Sequence, residues 1–346
     1  MRAAVYYGPE DIRIQDVPTP KPGPGEILLR VHACAICGTD VRIYFHGQKN
    51  VVPPAITGHE ICGTIEALGD GVHGYKVGQM AVVVTPVGCG RCRFCRRGVH
   101  NLCVDFRAVG YQFPGGFAEY MPLNEAAVRQ GNVIIAPDSL PPDEGALVEP
   151  LSCCINGQEY LDVSIGDTVA VIGAGPIGGM HVELARSQGA TKVILVDIAE
   201  HRLAMARERF SADVLVDSSK EDPVARVMAE TDGAGADVVI VACGVASAQQ
   251  QAIRMAAFKG RVSLFAGLPK DKPTVELDSN AIHYRELSVY GAFASHSTDY
   301  MRALSLVASR RVDARKFITA RLPLESIVEG MKMSKSGEGL KVVVNP

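Results

Sequence analysis

Six apolar strands alternating with amphipathic helical stretches predict an α/β, doubly wound parallel sheet in the second half of the chain. Short β-branched runs divided by turn residues predict an all-β, barrel-like domain in the first half. The barrel runs are EILLRVHACAI, ICGTIEALG and MAVVVTPV, separated by PKPGPGE and GDGVHGYKVGQ. At residue 166 the pattern changes. The runs become TVAVIG (168–173), KVILVD (192–197), VLVD (214–217), DVVIVACG (237–244), RVSLFAG (261–267) and LSVYGAF (287–293), with helical stretches such as PIGGMHVELARSQGA and EHRLAMARERF between them. Continuous apolar strands joined by helices imply a parallel sheet covered on both faces, and six of them suggest a nucleotide-binding doubly wound fold. LSVYGAF would form an edge open to pairing. Residues 294–346 return to helix and a last LKVVVNP strand, expected to pack back onto the first domain. The predicted domains are therefore 1–153 with 294–346, and 154–293.

The totals agree with two domains: 346 residues, 47% hydrophobic, with 35 basic and 38 acidic side chains and a net charge of −3. That balance offers no electrostatic case for nucleic acid or an anionic membrane. No apolar run reaches 18 residues, and MRAAVYYGPEDIRI carries no apolar secretory core. Ten cysteines without a leader fit a reduced, cytoplasmic chain. Cys34, Cys62, Cys153, Cys154 and Cys243 lie in apolar stretches and are expected to be buried free thiols.

TVAVIG runs directly into Gly173-Ala174-Gly175-Pro176-Ile177-Gly178 and then a helix. This is G-x-G-x-x-G in strand–turn–helix context. Gly173 allows the tight turn, Gly175 the approach of a pyrophosphate, and Gly178 close helix packing, with the phosphate on the helix N-terminus. The next strand ends in Asp197, placed to accept hydrogen bonds from ribose hydroxyls and to repel a 2′-phosphate, which favours NAD over NADP. Arg202, five residues on, weakens that preference.

Cys89, Cys92, Cys95 and Cys103 form C-x2-C-x2-C-x7-C within residues 86–105. Four thiolates at this spacing can close a tetrahedron around one Zn²⁺ with no position left for chemistry. Upstream, Cys37-Gly38-Thr39-Asp40 and Gly58-His59-Glu60 offer a thiolate, an imidazole and a carboxylate, and Val148-Glu149-Pro150 adds another acid. Three protein ligands and an open position describe a catalytic zinc. Singly, each residue reads as core or surface; their joint occurrence with the cysteine cluster and the glycine loop carries the assignment.

These segments, with GGFAEY (115–120), EPLS (149–152) and GLKVVV (339–344), resemble the zinc-dependent medium-chain dehydrogenase/reductase (alcohol dehydrogenase) superfamily, in its sorbitol/polyol and threonine dehydrogenase branch. The resemblance spans nearly the whole chain. It implies a Rossmann domain beside a GroES-like catalytic domain with a structural zinc lobe, two Zn²⁺ per chain, NAD, and a homodimer or homotetramer. Cys37, His59 and Glu60 match catalytic zinc ligands; Glu149 matches an acid beside that metal, acting directly or through water. Thr39 matches the hydroxyl that bonds the substrate oxygen, and Asp40 the carboxylate orienting the ligand histidine.

The chain departs from its relatives at two points. Arg42 stands where a proton-relaying histidine is usual, leaving His46 or water to substitute. Ala294, Ser295 and His296 stand where sorbitol dehydrogenases carry a substrate-binding arginine, while Glu149-Pro150-Leu151 differs from the Asp-Pro-Phe of threonine dehydrogenases. The expected activity is oxidation of a polyol or sugar-like secondary alcohol to the ketone. The alternatives are L-threonine or a polyol phosphate as substrate and, more remotely, a zinc- and nucleotide-binding protein without turnover.

Overall fold

The computed structural model describes residues 1–346 and divides into two compact units, Met1–Ser152 with Ala294–Pro346, and Cys153–Phe293. The first unit is built on a seven-stranded sheet ordered Val133–Ile135, Met80–Val83, Glu60–Leu68, Ile27–Ala35, Lys341–Asn345 and Ile318–Pro323, with Tyr120–Leu123 also paired to Ile27–Ala35. Ile27, Leu29, Val31, Ile61, Ile65, Phe117, Met121, Leu123, Val342 and Val344 are buried together as its core. Each exchange of such a side chain for solvent would cost about 1.5–3 kcal/mol. The register is therefore held by the side chains that point inward.

That register positions the site. Ala35, at the end of one strand, lies opposite Glu60, at the start of the next, and opposite Val343 of the C-terminal strand. Two residues beyond Ala35, Cys37 caps helix α1 (Gly38–His46). The Asp40 carboxylate accepts from the Cys37 backbone N–H at 3.0 Å, which fixes the first turn. The helix stops at Gly47, in a positive-φ conformation.

In the second unit β1 (Thr168–Ile172), β2 (Lys192–Asp197), β3 (Val214–Asp217), β4 (Ala236–Val241), β5 (Ala256–Leu264) and β6 (Ser288–Gly291) form one parallel sheet ordered β3-β2-β1-β4-β5-β6. This is the doubly wound order, whose reversal beside β1 puts ligands at the carboxyl ends of the central strands. Helix α2 (Pro176–Gln188) follows β1, with proline at its first position and Gly189 ending it at φ +111°. β5 begins five residues before the apolar run RVSLFAG. Lys259, at φ +59°, and the register shift against β4 let the strand start at Ala256 and bend through FKG. No helix is long and apolar enough to cross a membrane.

All ten cysteines are free. The expectation that five are buried core thiols needs correction: Cys34, Cys62 and Cys154 are buried, but Cys153 and Cys243 are partly exposed. Cys243 lies just past the end of β4, where the strand has left the covered part of the sheet.

Candidate functional site

The four-cysteine lobe folds on its own backbone. Short turns at 95–97 and 100–102 bring the Cys92 sulfur 3.5 Å from that of Cys95 and 3.9 Å from that of Cys103. A tetrahedron of Zn–S bonds of about 2.3 Å has edges of about 3.8 Å, so this spacing fits one zinc. Backbone N–H groups of Cys89 and Asp105 point at the Cys103 sulfur, at 3.1 and 3.3 Å. The N–H groups of Cys95 and Val104 hold the Cys92 thiol down to about 6, the thiolate side of neutrality, whereas burial pushes Cys95 up to about 12.

The second cluster gathers distant segments. The ligand atoms of Cys37, His59 and Glu60 lie within 4.8 Å of one another, with His59 and Glu60 buried and Cys37 partly exposed. One ion can therefore reach all three, through a borderline-soft donor set that suits zinc. The Asp40 carboxylate stands 3.5 Å from His59 Nδ1, which leaves Nε2 as the other ring donor. Burial disfavours the imidazolium, but Tyr111, Asp40 and Cys37 outweigh it and raise the proton affinity of His59. The Thr39 hydroxyl, two residues from Cys37, is half-buried and has no hydrogen bond within the chain. Glu149 is buried at the start of helix Val148–Gln158, near enough for its charge to act on Lys341 and Tyr111. Its turn is braced by Ser152, whose hydroxyl donates to the Glu149 carbonyl at 2.6 Å and lies 2.7 Å from the Ser295 hydroxyl. Ser295 thus supports the Glu149 turn in the segment where a sorbitol-type arginine was expected to be missing.

Three contributors escaped the sequence reading. Lys341, only 3% exposed, sits 2.5 Å from the Glu60 carboxylate and donates to the Ile36 carbonyl at 2.9 Å. Burial pulls its ammonium down, yet Glu60, with Cys37 and Glu149 behind it, holds it above the ordinary lysine range. Tyr300, fully buried on helix α3 (Ser297–Ala308), donates to the Thr85 hydroxyl at 3.0 Å, and Thr85 donates to the His59 carbonyl at 3.1 Å. The Tyr111 ring lies beside that of His59, tilted by 40°. Lys341 and Tyr300 lie more than 240 residues from His59, so no local spacing could have marked them; Lys341 stands inside GLKVVV, where alternation alone would read it as a surface position. Arg42 spends its guanidinium on the Gln48 side chain, and His46 is exposed.

The glycine loop has the geometry its residues require. Gly173 adopts φ +114°, and a Cβ on Gly178 would fall 1.7 Å from the Gly173 carbonyl oxygen, so α2 can approach only as glycine. Gly175 caps α2 with no side-chain hydrogen bond and with open space where a Cβ would be. The free N–H groups of Ile177 and Gly178, in the first turn of α2 behind Pro176, form a cradle that fits a pyrophosphate. Asp197 is buried at the end of β2; its carboxylate accepts from Ala174 N–H at 2.6 Å and Ala199 N–H at 2.8 Å. Arg202 approaches the same carboxylate to 4.0 Å.

Comparison with known proteins agrees with this arrangement. Residues 23–132 match the alcohol dehydrogenase GroES-like domain, and residues 176–309 match the zinc-binding dehydrogenase family. The chain is 34% identical to an L-threonine 3-dehydrogenase of Pyrococcus horikoshii, over 99% of this chain and 97% of that one. It is also 34% identical to a sorbitol dehydrogenase of Bombyx mori, over 99% of this chain and 98% of the relative. A solved zinc-binding dehydrogenase of Sinorhizobium meliloti bound to NADP superposes with a TM-score of 0.92 at 35% identity, covering 100% of this chain and 99% of the other. The chain belongs to the zinc-dependent medium-chain alcohol dehydrogenase family, and joins a GroES-like domain to a Rossmann domain. Its relatives are dehydrogenases that act on alcohols.

Proposed function

We propose that this protein oxidises a polyol or sugar-like secondary alcohol to the ketone, with NAD as hydride acceptor and two Zn²⁺ per chain. The observation that carries the reading is the meeting of Cys37, His59 and Glu60 within 4.8 Å, beside the uncommitted hydroxyl of Thr39. Zinc held by those three ligands would supply Lewis acidity to an alcohol oxygen, and NAD on the glycine loop would take up the hydride. The chain's own groups do the rest. Thr39 accepts the hydroxyl proton of the substrate and passes it on. Asp40 holds His59 in orientation. Glu149 stands beside the metal ligands. Arg42, always protonated, cannot receive the proton, so His46 or solvent takes it.

Cys89, Cys92, Cys95 and Cys103 hold the structural zinc. Gly173, Gly175, Pro176, Ile177 and Gly178 cradle the pyrophosphate, and Asp197 bonds the adenosine ribose, with Arg202 nearby. We place the enzyme in the cytoplasm as a homodimer or homotetramer. L-Threonine and polyol phosphates are the competing substrates, since a threonine dehydrogenase is as similar to the chain as a sorbitol dehydrogenase.

The test is NADH absorbance across polyols, sugar acids, polyol phosphates and L-threonine, with NADP in parallel. Turnover of a polyol with NAD supports the reading. Turnover confined to L-threonine or to phosphorylated alcohols would replace the substrate assignment, and no turnover with any alcohol would remove the enzymatic one.

A further inference from the structure

Tyr111 stands beside the candidate zinc ligands for reasons the backbone makes plain. Gly110 adopts φ +79°, and a Cβ on it would lie 2.6 Å from the Gly58 carbonyl oxygen and 3.1 Å from His59 Cβ. Only glycine therefore lets this segment lie against the Gly58 backbone and the His59 Cβ. The segment is closed by the Gly110 N–H donating to the Phe113 carbonyl at 2.9 Å, and by the Ala108 N–H donating to Gln112 Oε1 at 3.0 Å. The Tyr111 ring is set with its centroid 5.2 Å from that of His59, at 40°. It also packs with Tyr6, Ile43 and Val51, and Ile43 is on α1, the helix that carries Thr39 and Asp40.

Packing accounts for the ring and not for the hydroxyl. Tyr111 is half-buried, and its phenol forms no hydrogen bond with the chain. The charged groups that act on it are His59, Cys37, Asp40 and Glu149, all members of the candidate site. A hydroxyl on a ring set beside His59, with no hydrogen-bond partner in the chain and within the electrostatic reach of those four side chains, is a donor left for a ligand.

We propose that Tyr111 is a specificity-determining residue: its phenol donates a hydrogen bond to a second substrate oxygen, on the carbon next to the one oxidised, and so selects vicinal diols over monohydric alcohols. The inference rests on the polyol reading above and names the group that would recognise the polyol. Thr39 serves the reacting oxygen, so Tyr111 serves a different one. A site that bonds a substrate hydroxyl rejects the analogue lacking it more strongly than an apolar pocket can, because the analogue leaves the site's donor without that partner.

The experiment compares Tyr111→Phe with the parent protein on matched secondary alcohols, 2,3-butanediol against 2-butanol and 1,2-propanediol against 2-propanol, at saturating NAD. The expected result is a fall of about tenfold or more in the diol-to-monoalcohol ratio of kcat/KM, carried by KM for the diol. Diol binding to the enzyme–NADH complex, followed by NADH fluorescence, weakens in parallel, while zinc content stays at the parental value. Tyr111→Leu, which removes ring and hydroxyl together, should show the same loss of ratio. A ratio within about twofold of the parent in both variants overturns the inference. Equal losses on both alcohols, with zinc released, also overturn it, by showing that Tyr111 only packs. In both of these outcomes the parent enzyme still turns over alcohols, so the dehydrogenase reading survives; failure of the parent itself on every alcohol removes both.

Discussion

The four-cysteine lobe and the Cys37–His59–Glu60 cluster are built by opposite routes. In the lobe, four donors of one kind lie within 15 residues, and nearby backbone N–H groups aim at their sulfurs. In the other cluster, a thiolate, an imidazole and a carboxylate arrive from two strand ends, and their support comes from Lys341 and from Tyr300 through Thr85. The lobe needs little beyond its own loop. The second cluster needs the whole sheet register, including a strand 280 residues away in sequence. A coordinatively closed site can be local, whereas a site that keeps a position open must have its few ligands held by something other than the metal.

The strongest way to break this comparison is Cys37→Ser. It should lower turnover at least about a thousandfold while one zinc per chain remains, counted by metal analysis, because the lobe does not depend on the other cluster. Parental NAD reduction by this variant would show that the metal assignment is wrong. Next comes Lys341→Met, which takes the buried ammonium away from the Glu60 carboxylate and leaves it to the metal alone. Breaking such a pair typically costs about 3–5 kcal/mol, so the thermal midpoint should fall by several degrees while the lobe keeps its zinc. An unchanged midpoint would mean that the register, not the ion pair, holds Glu60 in place.

The lobe can be probed by pH. Its Cys92 thiol titrates at about 6, below the ordinary cysteine value, so the folded, chelator-treated protein carries thiolate there at neutral pH and loses it as pH falls through 6. Alkylation of Cys92 should therefore have its midpoint near pH 6, with about 30-fold more thiolate at pH 7 than a thiol of ordinary pKa of about 8.5. A midpoint near 8.5 would show that the loop is not pre-organised without metal. The smallest effect is expected for Tyr300→Phe. Losing its two hydrogen bonds with Thr85, one to the hydroxyl and one from the backbone N–H, should cost about 1–3 kcal/mol in urea unfolding and loosen zinc binding at the His59 cluster only. Equal weakening at both metal sites would dissolve the contrast between them.

Much of this was legible in the chain. The Cys89–Cys103 spacing, the Gly173–Gly178 loop with Asp197, and the six apolar runs are short-range patterns whose meaning is set by local chemistry, and the parallel sheet follows from them. The early start of β5 was not legible, since FKG reads as a break until a positive-φ lysine and a register shift are seen to carry the strand through it. Tyr111 was invisible for a related reason: nothing in its neighbours marks a tyrosine whose role depends on Gly110 lying against the Gly58 backbone. The exposure of Cys153 and Cys243 likewise depends on where neighbouring elements stop, which an apolar stretch does not record.

By itself the sequence determined which donors exist, how the lobe closes and where a phosphate cradle forms, because spacing over a few residues fixes side chains that share one turn. Only the tertiary structure decided that Lys341 would neutralise Glu60, that Tyr300 would brace His59 and that the Tyr111 ring would stand beside His59. Those contacts are set by strand register and helix docking over hundreds of residues, and register is a property of the packed sheet as a whole.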